Sequence, residues 1–296
     1  MNYYNEIKQK LINNEIYEKV KDYSKERNRV ITYFEIGKIL NEAGKKYGED
    51  IIGEYSKRLV LEVGKKYNKR TLFRMKQFYN TFNNQKVSAL LTQLSWTHFL
   101  ELIVLNNFDE INYYANNAIK YNQNYRELHD RIKSKEYERL SKKAKEKLST
   151  KVKPNINDLV KNPILIKNSN NYESISEKTL QKLIMEDIDN FLKELGNGFC
   201  YIKNEYKIKI ESFYNYIDLL LFNYEYNCFV VVELKVVELK KEHIGQIQVY
   251  MNYIDKNLRK INQEKTIGII ICKKDNKYVI EYCSDKRIIS RTYELV

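Results

Sequence analysis

The sequence predicts two domains of different class, an all-α N-terminal half and an α/β C-terminal half with a mixed sheet. Three observations predict this. Helical segments fill the first half, runs rich in β-branched and aromatic residues follow Gly198, and the only two prolines of the 296 residues, Pro154 and Pro163, fall between the halves. A chain of this length suffices for two compact domains, each with its own core. The expected boundaries are an α-helical domain over 1–150, a linker over 151–175 that includes the polar loop Asn168-Ser169-Asn170-Asn171, and an α/β domain over 176–296.

In the first half, a helix is expected from about Glu49 to Val63, then a turn at Gly64, then a second helix continuing to about Phe82. Lys65, Lys66, Lys69, Arg70, Arg74 and Lys76 cluster over this turn and second helix with no acid among them. Helix, turn and basic helix is the outline of a helix-turn-helix, although two helices joined by a basic turn occur in many α domains. Such a patch suits contact with phosphates better than readout of bases. A further helix over Asn112 to Tyr125 carries tyrosines that pack between core and solvent. From His129 to Lys153 ten Lys or Arg stand against four acids, a large part of the formal net charge of +13. That balance suggests a polyanionic partner, while abundant Lys, Asn, Ile and Tyr are also what an AT-rich genome encodes.

In the second half, Ser174 with Glu177 three residues later gives a capping-box start. Leu180, Leu183, Ile184, Ile188, Phe191, Leu192 and Leu195 form the stripe of one helix ending near Gly196. A strand runs from Gly198 to about Ile208. Two more follow, Tyr214 to Leu221 and Cys228 to Lys235, separated by the short polar break Asn223 to Asn227 that suits a hairpin. A turn centred between Glu225 and Tyr226 places Asp218 directly opposite Glu233, and alternation puts Lys235 on the face of Glu233. Lys240 to about Lys256 reads as a helix packing Ile244, Ile247, Met251 and Ile254 on the sheet, with Gln246 and Tyr250 four apart on another face. Thr266 to Cys272 is a continuous apolar run, as in a strand buried on both faces.

Like charges directly opposite on a sheet are destabilising, and an acid among Ile, Leu and Val shifts toward its neutral form. A divalent cation removes both problems, and a set of few, hard oxygen donors suits Mg2+ or Mn2+. The lysine fits as a point charge near a phosphate or as the group orienting an attacking water. The plain alternative is an edge hairpin carrying one surface salt bridge.

The order helix, three strands, helix, strand, with Asp on the second strand and Glu-x-Lys on the third, resembles the PDDEXK (restriction endonuclease-like) superfamily. Within it, Gly196 to Phe199, Phe213 to Leu220, Val232 to Lys235, Gly245-Gln246, Asn252-Tyr253 and Ile267 to Cys272 are similar to YhcG-type nucleases. In the first half Tyr33 to Leu40, Leu72 to Tyr79, Leu94 to His98, Tyr113 to Ala115 and Ile132 to Leu140 occur in that family's order, so the resemblance covers nearly the whole chain. It implies a Mg2+-dependent deoxyribonuclease, with Mn2+ able to substitute. Asp218, Glu233 and the carbonyl of Leu234 would hold metal, Lys235 would position water, and Gln246 and Tyr250 would line the DNA channel. Lys65, Lys66, Lys69, Arg70 and Arg74 would bind the substrate. Family members often carry a Glu where this chain has Gln181, which leaves Glu177, Glu186 and Asp187 as candidates for a third acid. The resemblance also suggests defence or restriction-system partners and a homo-oligomer, and it leaves RNA open as a substrate. A binding module of the same fold with little cleavage is the alternative function.

There is no signal sequence and no apolar run of membrane-spanning length, so a cytoplasmic protein is expected. Cys200, Cys228, Cys272 and Cys283 all fall in expected strands and read as buried free thiols. His98 reads as a packing residue and His243 as a solvated helix position within reach of phosphate. No phosphate-binding loop motif and no internal repeat are present.

Overall fold

The computed structural model describes residues 2–19, 24–48, 50–83, 88–150, 152–173 and 175–296. The chain divides into two compact units, Met1–Tyr137 and Glu138–Val296.

The first unit is helical: α1 (Tyr3–Lys19), α2 (Lys25–Tyr47), α3 (Asp50–Glu62), α4 (Lys69–Phe82), α5 (Ser88–Gln93), α6 (Trp96–Leu102), α7 (Phe108–Lys120) and α8 (Tyr125–Lys133). Side-chain caps start several of these helices. Asn68 accepts from Thr71 N–H, and Asn124 from Arg126 and Glu127 N–H. His98 packs as expected, its Nδ1 2.6 Å from Ser95 Oγ and its Nε2 2.9 Å from the Gln123 carbonyl. The core joins Ile7, Leu11, Ile36, Leu40, Ile52, Leu59, Leu72 and Met75, with Phe78 set among Phe34, Phe82, Trp96 and Phe99. α2 and α4 meet at Gly37. A Cβ there would stand 2.8 Å from Tyr79 Cβ and closer still to the Met75 carbonyl oxygen.

The second unit begins with α9 (Lys142–Ser149), α10 (Ile156–Leu159) and β1 (Ile164–Ile166), then α11 (Glu177–Glu186) and α12 (Ile188–Leu195). It continues with β2 (Phe199–Ile210), β3 (Phe213–Asn223), β4 (Cys228–Glu238), α13 (Lys241–Asn257), β5 (Glu264–Lys274), α14 (Lys277–Glu281) and β6 (Ile288–Leu295). Among the described residues the strands form one sheet in the order β1-β6-β5-β4-β3-β2. β2, β3 and β4 are antiparallel neighbours, and β4, β5 and β6 are parallel. α11 and α12 pack Leu180, Leu183, Ile184 and Phe191 on one face, over Leu219, Leu221, Val232, Leu234, Ile269 and Ile271. α13 packs Ile247, Met251 and Ile254 on the other, over Leu220, Val231, Ile270 and Cys272. β5 is therefore buried on both faces, as its unbroken apolar run requires.

Several expectations need correction. The first unit ends near Tyr137 and not at 150, because Arg139 pairs with Glu194, Ser141 donates to the Asp158 carbonyl at 3.2 Å, and Lys147 reaches Asp158 at 2.6 Å, all within the second unit. The segment 151–175 is no free linker, since Ile164 and Ile166 are buried and β1 pairs in parallel with β6. The basic stretch after His129 is partly neutralised inside the fold, with Arg131 on Glu136 and the Arg139 and Lys147 pairs just named. The single helix expected before the sheet is two, because Asp187 leaves helical geometry and its carboxylate takes the Asn190 amide at 2.8 Å. Ser174 and Glu49 lie outside the described residues. The cap of α11 is Ser176, whose side chain accepts from Thr179 N–H. Cys200 is exposed, and Cys283 follows α14 and not a strand, while Cys228 and Cys272 are buried thiols as expected.

Gly37→Ala should destabilise the helical unit by about 1–3 kcal/mol or more, since the added methyl meets main chain that has no room to yield. Trp96, the only tryptophan, reports this unit in a denaturant titration. An unchanged midpoint would refute the α2–α4 contact.

Candidate active site

The hairpin turn sets the site. Asn223 Oδ1 accepts from Glu225 and Tyr226 N–H at 3.0 and 3.1 Å, closing the loop between β3 and β4. The resulting register pairs Leu221 with Val230, Leu220 with Val231 and Leu219 with Val232. This is the register that puts Asp218 across from Glu233. At this point the β3–β4 ladder stops, while β3 stays paired with β2 down to Phe213 and β4 runs on beside β5 to Glu238. The two strands therefore part at Asp218 and Glu233, and the carboxylates stand where the sheet opens.

Asp218 closes the ladder with its side chain, Oδ2 accepting from Leu234 N–H at 2.8 Å. Gln181 of α11 donates to the Asp218 carbonyl at 3.0 Å and fixes its main chain. Glu233 is 1% exposed, and its Oε1 is buried with no hydrogen-bond partner. Lys235 Nζ lies 3.6 Å from Glu233 and 3.3 Å from Glu177. From α13, Gln246 Nε2 donates to Tyr250 OH at 3.1 Å, and Tyr250 is close enough to feel the charges of Glu233, Asp218 and Lys235. Asp218, Glu233, Lys235, Gln246 and Tyr250 are thus gathered in one place.

Burial dominates the electrostatics. It raises Asp218 above the ordinary aspartate range, against the Leu234 hydrogen bond and the Lys235 charge. Burial and then the Asp218 charge push Glu233 from 4.5 up to about 8. Burial pulls Lys235 down, but Glu233, Glu177 and Asp218 outweigh it, so the ammonium is held more firmly than usual. His243 corrects the solvated reading: it is 7% exposed, accepts from Lys240 N–H through Nδ1 at 3.1 Å, and is lowered by burial and by Lys235.

A metal fits this donor set. An orphaned carboxylate oxygen faces a second carboxylate, both disfavour holding two negative charges together out of water, and all the donors are oxygen. Among the described residues no three His, Cys, Asp or Glu side chains form a metal-holding group. Of the candidate third acids, only Glu177 comes to the site, as the first residue of α11 with its carboxylate on Lys235. Glu186 is about 14 Å further along the helix and pairs with Lys182, and Asp187 holds Asn190. Sequence reasoning missed Glu205, whose charge also raises Asp218. Its signal was the β2–β3 register, in which Asn204 pairs with Leu219 and Tyr206 with Ile217, so that Glu205 falls beside Asp218.

In the first unit Lys65, Lys69 and Arg70 are exposed and Arg74 is half-buried. Lys66 is committed to Glu15 and Glu18 at 2.6 and 2.7 Å, which removes it from the set available to phosphate.

Residues 157–295 match the model of the YhcG PDDEXK nuclease domain, and residues 7–139 that of the DUF1016 N-terminal domain. The chain belongs to the YhcG nuclease family. YhcG of Escherichia coli (strain K12), named as a candidate nuclease, is 23% identical over 283 residues, covering 81% of this chain and 76% of that protein. A repair endonuclease from Pyrococcus abyssi shares 19% identity over 43% of this chain and 49% of that one, with a TM-score of 0.29. An EndoMS–dsDNA2 complex shares 17% over 44% and 50%, with a TM-score of 0.32. The chain thus spans about half the length of each of these two solved structures. Among the described residues no helix is long and apolar enough to cross a membrane. In this YhcG-family chain the nuclease model begins at 157, inside the segment expected as a linker, in line with the place of β1 in the sheet.

The raised Glu233 value has a definite sign. The folded state binds its proton more tightly than the unfolded chain, so this contribution to stability is present below about 4.5 and is lost as pH rises through about 8. In EDTA, the wild-type melting temperature should fall more steeply between these values than that of Glu233→Gln. Parallel pH profiles for the two proteins would contradict the buried, shifted carboxylate.

Proposed function

We propose that the chain hydrolyses DNA phosphodiester bonds with a divalent cation held by Asp218 and Glu233. The observation that carries this is the buried Glu233 oxygen without a partner, set against Asp218 where β3 leaves β4. N–H and C=O of one residue leave a strand on the same side, so the Leu234 carbonyl faces the Asp218 side and joins the donor set. Mg2+ or Mn2+ suits such oxygens. When bound, the cation would lower the pKa of water and offset charge on the scissile phosphate.

The chain's own groups supply the rest. Lys235, kept charged by three carboxylates, is a point charge for the phosphate and orients water, and it is no general base because its proton is held tightly. Its contact with Glu177 fixes the ammonium beside the opening of the sheet. Gln246 and Tyr250 contact the incoming strand. Lys65, Lys69, Arg70 and Arg74 hold phosphates of the same DNA at the helical unit.

Purified wild type and the Glu233→Ala/Lys235→Ala variant, incubated with supercoiled plasmid, linear duplex and single-stranded DNA in Mg2+, Mn2+ or EDTA, test this. Cutting should require metal and should fall about a thousand-fold or more in the variant, because such groups act as a unit. Cutting that survives in EDTA or in the variant would overturn the assignment. DNA bound but never cut in any metal would return the fold to a binding module.

A further inference from the structure

β2 is the edge of the sheet, and its far half pairs with the part of β3 that has left β4. One face of this hairpin packs Ile208 and Ile217 into the core beneath α13, with Tyr206 and Ile210 against it. The opposite face is open and has a definite chemistry. Lys207 stands across from Tyr216, and Lys209 across from Tyr214. Tyr214 and Tyr216 are 56% and 52% exposed. Lys207 Nζ lies 3.7 Å and Lys209 Nζ 6.0 Å from the centroid of the Tyr214 ring. Lysines on an edge strand guard against pairing with another chain, but that role asks nothing of two exposed aromatic rings beside them. Tyr216 is two residues from Asp218 on the same strand, about 7 Å along it.

We propose that this ribbon is a binding track for an unpaired DNA strand, with bases on Tyr214 and Tyr216 and phosphates on Lys207 and Lys209, delivering that strand to the site at Asp218. A duplex does not satisfy it, because its bases are stacked on each other and present no free π-face, whereas aromatic rings interleaved with cations are the platform that single strands use. The acid Glu205 ends the basic run toward Asp218, so the phosphate track stops where the proposed cation takes over. Contact of an exposed lysine with a ring is weak, and Lys207 exchanges it for a phosphate when a base covers Tyr214.

The proposal rests on the nuclease reading for its purpose but is tested without it. Binding of oligo-dT, oligo-rU and blunt duplex, each of about 20 units, is measured by anisotropy in EDTA on full-length Glu233→Gln protein, which holds cleavage out of the readout. Oligo-dT should bind more tightly than duplex. Tyr214→Ala/Tyr216→Ala should weaken oligo-dT by about 10–100-fold and duplex much less, while Tyr214→Phe/Tyr216→Phe keeps the affinity and controls for folding. Lys207→Gln/Lys209→Gln should reduce the salt dependence by roughly one unit of slope. Unchanged oligo-dT binding in the alanine variant, equal losses on strand and duplex, or tighter binding of oligo-rU would each overturn the proposal. Plasmid cutting by wild type with an inert ribbon would leave the nuclease standing alone, and a ribbon that binds in a protein that never cuts would do the reverse.

Discussion

Two carboxylates kept from water at the point where one strand leaves another set the terms for the second unit. A buried charge without a partner costs several kcal/mol even after relaxation, and Glu233 is almost fully covered with one oxygen unsatisfied. It cannot swing out, because its neighbours Val232 and Leu234 are both fully buried and β4 is held on both edges, by β3 up to Leu219 and by β5 beyond. An apolar residue of similar size would fold more comfortably there. A local rule broken in the best-supported strand of the sheet marks a site whose chemistry is retained at the expense of stability.

The surrounding groups make sense as answers to that constraint. Asp218 takes a main-chain donor that a regular ladder would have paired with main chain, so the end of the β3–β4 ladder and the start of the site are one feature. Gln181 then secures the same residue from α11 through its carbonyl. On the other side, His243 accepts the Lys240 N–H through Nδ1, which leaves the ring proton on Nε2 in the neutral tautomer. Burial and the nearby Lys235 both favour that neutral form. Lys235 therefore stands as the site's fixed positive charge, balanced by Glu233 and Glu177.

Most of the site was legible because a short turn fixes a register and a register fixes every cross-strand neighbour. The break from Asn223 to Asn227 sufficed to align Asp218 with Glu233, and alternation then placed Lys235. Glu177 was legible as a candidate and ambiguous in role, since a first-turn glutamate serves a helix N-terminus as readily as it serves a lysine on the next layer. β1 was hidden for a different reason. Three apolar residues between a proline and a polar loop carry no periodicity, and only pairing with β6, more than a hundred residues later, makes them a strand. The break at Asp187 was hidden because the apolar stripe continues across it while the main chain does not.

Net charge was the least informative observation, and the structure shows why. A total counts cations without regard to the acids beside them, and Arg131, Arg139, Lys147 and Lys66 all face carboxylates that the sequence holds at other positions. Cations already paired release few counterions when a polyanion arrives, so they add little to its binding. The lysines of β2 differ in kind. Across the ladder they meet tyrosines and not acids, and an aromatic ring leaves the ammonium's charge intact for a stronger partner. Placement opposite neutral rings, beside an opening lined by carboxylates, gives these few lysines a reach toward phosphate that the longer basic run after His129 gives up to its own fold.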